Sequence, residues 1–317
     1  MENAIELSSV SKRYGKQVAV DDLNLQVPTG AIYGFIGPNG SGKTTTLRMI
    51  LRIIQPDSGE VRVLGKSSGK TADDDLGYLP EERGMYKRMK VRDLLVYFAK
   101  LKGMFDCQAA VDQWLEKLGA AEWAHKKIEM LSKGMAQKIQ FISAIVANPK
   151  LVILDEPFSG LDPVNMEVLR DAVINLRNNG TTVIFSTHDM DMAQQMCDTI
   201  FMIFQGRKVL DGTLEEIQSN FQANRVRVAL TDPQAEFPRI EGIDNLTCVK
   251  NEFQFDLPDV GRKQLVLQQL SDKVSVDRFE VIKPTLHEIF LRIAKPSTVN
   301  PAESENLIKT DSGKVTL

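Results

Sequence analysis

Apolar and polar positions along the chain change period several times, and each change marks an element. Residues 4–36 alternate short apolar runs with the turns Tyr14-Gly15-Lys16 and Pro28-Thr29-Gly30. That pattern predicts a small antiparallel sheet leading into a first core strand, Ala31 to Ile36. Thr45 to Leu51 reads as a helix, and residues 57–80 as a further strand pair with a polar insert, Gly65 to Asp75. From Val91 to Gly134 the period becomes helical, with Val91, Leu94, Leu95, Phe98 and Leu101 on one face and Trp114, Leu115 and Leu118 on another. Phe141 to Ala147 suits a buried helix. Leu151 to Leu154 and Thr182 to Phe185 are continuous, partly β-branched apolar runs, which suit parallel strands covered on both faces. Val164 to Arg177 is the expected crossover helix between them, and Ile200 to Phe204 with Lys208 to Leu210 a hairpin about Gly206.

Near Asn220 the pattern changes again. Val226 to Leu230, Leu246 to Val249, Phe253 to Leu257 and Val276 to Val281 read as strands, Arg262 to Leu270 and Thr285 to Ala294 as helices. The expected organisation is therefore an α/β domain over residues 1–218, a small α+β domain over 219–294, and a disordered tail over 295–317 rich in Ser, Thr, Pro, Asn and Glu.

Composition narrows the function classes. The chain of 317 residues has a net charge of −3, which argues against a protein that coats nucleic acid. Cys107, Cys197 and Cys248 fit neither a disulfide framework nor a zinc spacing, and three histidines are too few for a multi-histidine metal site. That cysteine usage favours a reducing compartment. The N-terminal residues lack secretory features, and no apolar stretch approaches the roughly 20 residues of a transmembrane helix. If the protein works at a membrane, another chain must cross it.

The chemistry sits in the links between the predicted strands and helices. Gly37-Pro38-Asn39-Gly40-Ser41-Gly42-Lys43-Thr44 lies between a strand and a helix and has the form of a phosphate-binding loop. Its glycines let backbone N–H groups turn towards phosphate oxygens, and the following helix presents the positive end of its dipole. Lys43 reaches the β- and γ-phosphates and the Thr44 hydroxyl suits Mg²⁺. Leu151 to Leu154 ends in Asp155-Glu156. Asp155 suits the metal shell, and Glu156 the polarisation of an attacking water. Ser186-Thr187-His188-Asp189 ends another buried run, where sheets of this type place ligands, so His188 is a candidate γ-phosphate contact. His125 and His287 read as structural. Leu131-Ser132-Lys133-Gly134-Met135 opens a helix. An ordinary N-cap at Ser132 and an anion site are both open readings there.

In this combination and order the motifs of residues 4 to about 218 resemble the ATPase subunits of ATP-binding cassette (ABC) transporters. Asp155-Glu156 resembles that family's Walker B pair, Ser159-Gly160-Leu161-Asp162 its D-loop, and His188 its switch histidine. Leu131 to Met135 is similar to its signature loop, and Tyr14 matches the aromatic that stacks on adenine. The resemblance implies an α/β fold with a mixed-sheet core, an antiparallel β subdomain and a helical subdomain, plus the small C-terminal α+β domain. It implies that ATP is held by Tyr14, by Gly37 to Thr45, by Asp162 and, from a second subunit, by Ser132 and Gly134. Mg²⁺ would be held by Thr44, Asp155 and Glu81. Lys43, Glu156 and His188 would act in catalysis, and a lone subunit would hydrolyse ATP poorly.

Two departures stand out. Lys133 and Met135 replace the third and fifth residues of the usual Leu-Ser-Gly-Gly-Gln signature. Glu81 replaces the usual Gln after the strand Gly77-Tyr78-Leu79-Pro80; a carboxylate also binds Mg²⁺ but adds negative charge beside three phosphates. The following Glu82 to Met89 segment resembles the region that receives a helix of the membrane subunit, and ordinary core residues are the other reading.

Residues Pro284 to Phe290 are similar to the appended domain of subunits that pair with separate six-helix permeases in drug, sodium and antibiotic efflux. That domain reads either as regulatory or dimer-supporting, or as a stabilising cap. The implied whole is an ATP-driven motor subunit, a homodimer or heterodimer, peripheral on the cytoplasmic face of the membrane. It would drive a permease, in an exporter, and would not bind nucleic acid. A non-transport ABC ATPase acting in translation or DNA repair is the alternative; the single cassette, with neither a heptad run nor a cysteine cluster, weighs against it.

Overall fold

The computed structural model describes residues 3–67, 74–82, 84–221, 225–232, 234–249 and 252–294. Most of the predicted polar insert and the whole predicted tail lie outside these residues. The chain divides into two compact units, one ending at Asn220 and one beginning at Phe221.

In the first unit, β1 (Asn3–Tyr14) and β2 (Gln17–Pro28) form a long antiparallel hairpin, followed by β3 (Ile32–Ile36) and α1 (Lys43–Ile50). Next come β4 (Ser58–Val63), β5 (Lys66–Ser67) and β6 (Leu76–Leu79). Helices α2 (Val91–Leu101) and α3 (Gln108–Lys117), two single 3₁₀ turns and α4 (Lys133–Ile145) form the helical part. The chain then alternates through β7 (Leu151–Asp155), α5 (Pro163–Asn178), β8 (Thr182–Thr187), α6 (Met190–Met196), β9 (Thr199–Phe204), β10 (Arg207–Gly212) and α7 (Leu214–Ser219).

Two sheets result. One is antiparallel, in the order β2-β1-β4-β5; the other has six strands in the order β10-β9-β3-β8-β7-β6, parallel except for the β9–β10 hairpin. Every residue of β3, β7 and β8 is buried, which is why their sequences are continuous apolar runs rather than alternations. The pleat still sorts them. Ile153 and Ile184 pack with Leu47, Met49 and the antiparallel sheet, whereas Val152, Leu154, Val183 and Phe185 pack against the helical side with Phe141, Ile142 and Val173.

Two expectations need correction. Residues 57–80 do not form one strand pair: β4 joins the antiparallel sheet, and β6 crosses to the core sheet and pairs with β7. Leu79 packs under α4 while Val61 and Val63 belong to the other core cluster, so burial partners, which local periodicity does not encode, decide the difference. Leu101 does not share the buried face of α2; it is 58% exposed and is the last residue of that helix, where the chain turns away.

The second unit contains β11 (Arg225–Leu230), β12 (Asp244–Val249), β13 (Glu252–Asp256), the 3₁₀ turn Val260–Arg262, α8 (Lys263–Ser271), β14 (Val276–Ile282) and α9 (Leu286–Ala294). Its sheet runs β12-β13-β11-β14 and is wholly antiparallel. Val226, Val228 and Phe255 on one face meet Val266 and Leu270 of α8, giving this unit a core of its own.

Candidate nucleotide site

The parallel strands β3, β8 and β7 are neighbours, so their C-terminal ends emerge side by side. Register fixes what meets there: Ile36 is opposite Thr187, Asp155 opposite Ser186, and Leu79 opposite Leu154. The Gly37–Gly42 loop, Asp155-Glu156, His188 and Glu81 therefore converge at one end of the sheet, the usual ligand position in open α/β sheets.

The loop is built for close approach to an anion. A side chain at Gly37 would collide with the Ile203 carbonyl, and one at Gly42 would meet the Ala19 carbonyl at 2.5 Å. Gly42 also caps α1 at φ 112°, a backbone region that glycine adopts without strain. Lys43 is buried, and its Nζ donates to the carbonyls of Gly37 at 2.6 Å and Pro38 at 3.2 Å. The Ser41 hydroxyl is buried without a hydrogen-bond partner. A buried orphan donor, a helix N-terminus and a lysine in one loop fit a nucleotide phosphate. Thr44 and Thr45 stand in the first turn of α1.

The acidic side is equally specific. Asp155 is buried and accepts a hydrogen bond from the Ser186 hydroxyl. Burial pushes its carboxyl up from the ordinary range; the Ser186 bond opposes this, and Glu81 and Glu156 add to it. Burial pushes the Lys43 ammonium down, with Glu156, Asp155 and Glu81 opposing. Glu156 sits at φ 50°, a strained conformation for a residue with a side chain, and its side chain is only 12% exposed. Its Oε1 accepts from the His188 amide at 3.1 Å and lies 2.8 Å from His188 Nδ1. Asp155 and Glu81, which both act electrostatically on Lys43, and the Thr44 hydroxyl are oxygen donors of the kind that Mg²⁺ takes.

The remaining predicted residues are placed as follows. Tyr14, at the end of β1, is half exposed, with Lys12 Nζ 5.9 Å from its ring centre. Ser132 is the N-cap of α4 and accepts from the Met135 amide at 3.3 Å. Gly134 lies against Leu161. Both Asp162 side-chain oxygens accept from Asn165 at the start of α5, so this carboxylate serves first as a helix cap. Lys133, the departure in the signature, covers Gly160: a Cβ there would meet Lys133 Nζ at 2.5 Å.

Three supporting residues escaped the sequence reading. Ser186 orients Asp155. Gln137 Nε2 donates to the Pro157 carbonyl at 2.9 Å, and Gln140 Nε2 to the carbonyls of Pro80 at 3.3 Å and Glu82 at 3.4 Å. Both glutamines are almost fully buried, so α4 holds the chain just beyond Glu156 and on both sides of Glu81. Their one sequence signal is that they are polar residues set among the apolar positions of α4.

Known proteins place this arrangement. Residues 20–159 match the sequence profile described as ABC transporter, and residues 212–294 that of the C-terminal domain of DrrA1-3-like ATP-binding proteins. The chain is 40% identical to the uncharacterized ABC transporter ATP-binding protein YhaQ of Bacillus subtilis, over 90% of this chain and 97% of that one. It is 31% identical to the Nod factor export ATP-binding protein I of Paraburkholderia xenovorans, over 92% and 97%. A solved ATP-binding subunit of an ABC transporter, 27% identical, superposes with a TM-score of 0.65 over 69% of this chain and 93% of its own. The chain belongs to the ATP-binding proteins of ABC transporters and is an ATPase of that family.

Proposed function

We propose that this protein is the motor subunit of a membrane exporter, peripheral on the cytoplasmic face, and that two copies or a close relative sandwich ATP between them. The observation that carries the reading is the strained, nearly buried Glu156 held by His188 beside the Lys43 loop. Adenine would stack on Tyr14, and the phosphates would lie on the Gly37–Thr45 backbone and Lys43. Mg²⁺ bound by Thr44, Asp155 and Glu81 would offset phosphate charge. Glu156 accepts a proton from the water that attacks the γ-phosphorus, and the bond from that phosphorus to the departing ADP oxygen breaks. Positioned bases of this kind contribute about 10²- to 10⁴-fold in rate. His188 fixes the Glu156 carboxylate, and Ser132 and Gly134 of the second copy close over the γ-phosphate. Closure would be carried to the permease through residues 82–89. The export direction rests on the DrrA-like C-terminal domain and on the relative named for Nod factor export.

Complementation tests the shared site. Lys43→Ala and Ser132→Asp should each be inactive alone. Mixed, they rebuild one intact site, with Lys43 from one chain and Ser132 from the other, and ATP hydrolysis should return. Mixtures as inactive as the single variants would refute the sandwich.

A further inference from the structure

Two basic segments that are distant in sequence meet on the helical part of the first unit. The Glu129 amide bonds the Lys87 carbonyl, the Ile128 amide the Met89 carbonyl and the Val91 amide the Lys126 carbonyl, each at 3.0 Å. An antiparallel bridge sets Lys90 directly opposite Lys127. Lys87, Arg88, Lys90, Lys126 and Lys127 are all exposed. Among the described residues their one ion pair is the loose Lys127–Glu129 contact at 3.7 Å. Like charges opposite one another across strands destabilise the pairing, so this chain keeps a local electrostatic cost here while its net charge is −3.

Aromatic side chains border the same segment. Tyr86, next to Lys87, is 54% exposed and meets Tyr97 of α2 edge-on at 5.8 Å. Tyr97, Lys100 and Leu101 lie on the exposed face of α2, which also carries Asp93. Point-charge lysines spread over a surface, with half-exposed tyrosines and a leucine beside them, have the chemistry of a membrane-interface patch.

We propose that this patch binds the anionic headgroups of a lipid bilayer directly, so that the subunit touches the membrane as well as its permease. The proposal goes beyond the ATPase reading; it rests on the proposed placement of this subunit at a membrane, while flotation is read independently of ATP hydrolysis and of the permease. The test is flotation of the full-length protein with vesicles of mixed phosphatidylglycerol and phosphatidylcholine, against phosphatidylcholine alone. The protein should float only with the anionic vesicles and be released by high salt. Lys90→Gln/Lys127→Gln should weaken flotation about 30-fold, since each surface lysine adds about fivefold to partitioning onto such a bilayer. Its ATPase rate in the absence of vesicles should not change. Failure to float with anionic vesicles, or equal flotation by the double variant, overturns the proposal. So does a variant that floats normally but no longer co-purifies with the membrane subunit, because the patch would then serve a protein.

Discussion

At the scale of single residues, the site depends on side chains whose surroundings oppose their ordinary state. Glu156 is in the left-handed region and nearly buried, Asp155 is buried beside two other carboxylates, and the Lys43 ammonium is buried with them. Conserving size while removing the proton acceptor isolates the chemistry: Glu156→Gln should lower phosphate release about 10²- to 10⁴-fold, with ATP binding by equilibrium dialysis unchanged. Full-rate turnover by that variant would remove Glu156 as the base. Tyr14→Ala should raise the Kd for ATP about 2- to 10-fold, from a stacking contribution of about 0.5–1.5 kcal/mol. An unaltered Kd in fluorescent-nucleotide titration would remove the stacking role. Glu81→Gln should keep Mg²⁺-dependent hydrolysis, since either side chain offers an oxygen to the metal. Loss of activity would mean that the carboxylate itself is required. The phosphate loop, Asp155-Glu156 and His188 are legible in sequence because their spacing is local. Ser186 as the partner of Asp155 is not, because 31 residues separate them and only strand register brings them together.

Among the elements, α4 does the most. Its start is capped by Ser132, its buried glutamines hold the Pro157 and Pro80–Glu82 backbones, and Lys133 and Gly134 lie on Gly160 and Leu161. One helix thus connects the signature loop, the chain beyond Glu156 and the Glu81 loop. The two readings of Ser132 separate by substitution. Ser132→Asp keeps a good N-cap, whereas Ser132→Ala loses about 1 kcal/mol of helix stability. If Ser132 also meets the second subunit's γ-phosphate, the Asp variant should melt like the wild type yet show little hydrolysis, because it sets a carboxylate against the phosphate. Wild-type activity in the Asp variant would leave Ser132 as a cap alone. Sequence periodicity found α4 and its apolar face; it was silent on Gln137 and Gln140, whose partners lie on segments far away in the chain.

Across the whole molecule, each unit closes its own core. Val226, Val228, Phe255, Val266 and Leu270 pack among themselves, and the candidate nucleotide-site residues all precede Asn220. A chain ending at Asn220 should therefore remain folded by circular dichroism and bind ATP with an unchanged Kd; a raised Kd would give the second unit a part in the site. The alternation of apolar runs, turns and helical faces determined most elements, because burial on one or two faces imposes period on the chain. Short-range motifs determined the phosphate loop and the acidic strand end for the same reason: a loop and its helix are contiguous. Only the tertiary structure decided that β6 crosses into the core sheet, that α4 holds the Glu81 loop, and that Lys90 faces Lys127. Those are pairings between segments distant along the chain, set by the burial of shared apolar surface and by strand register, neither of which local pattern records.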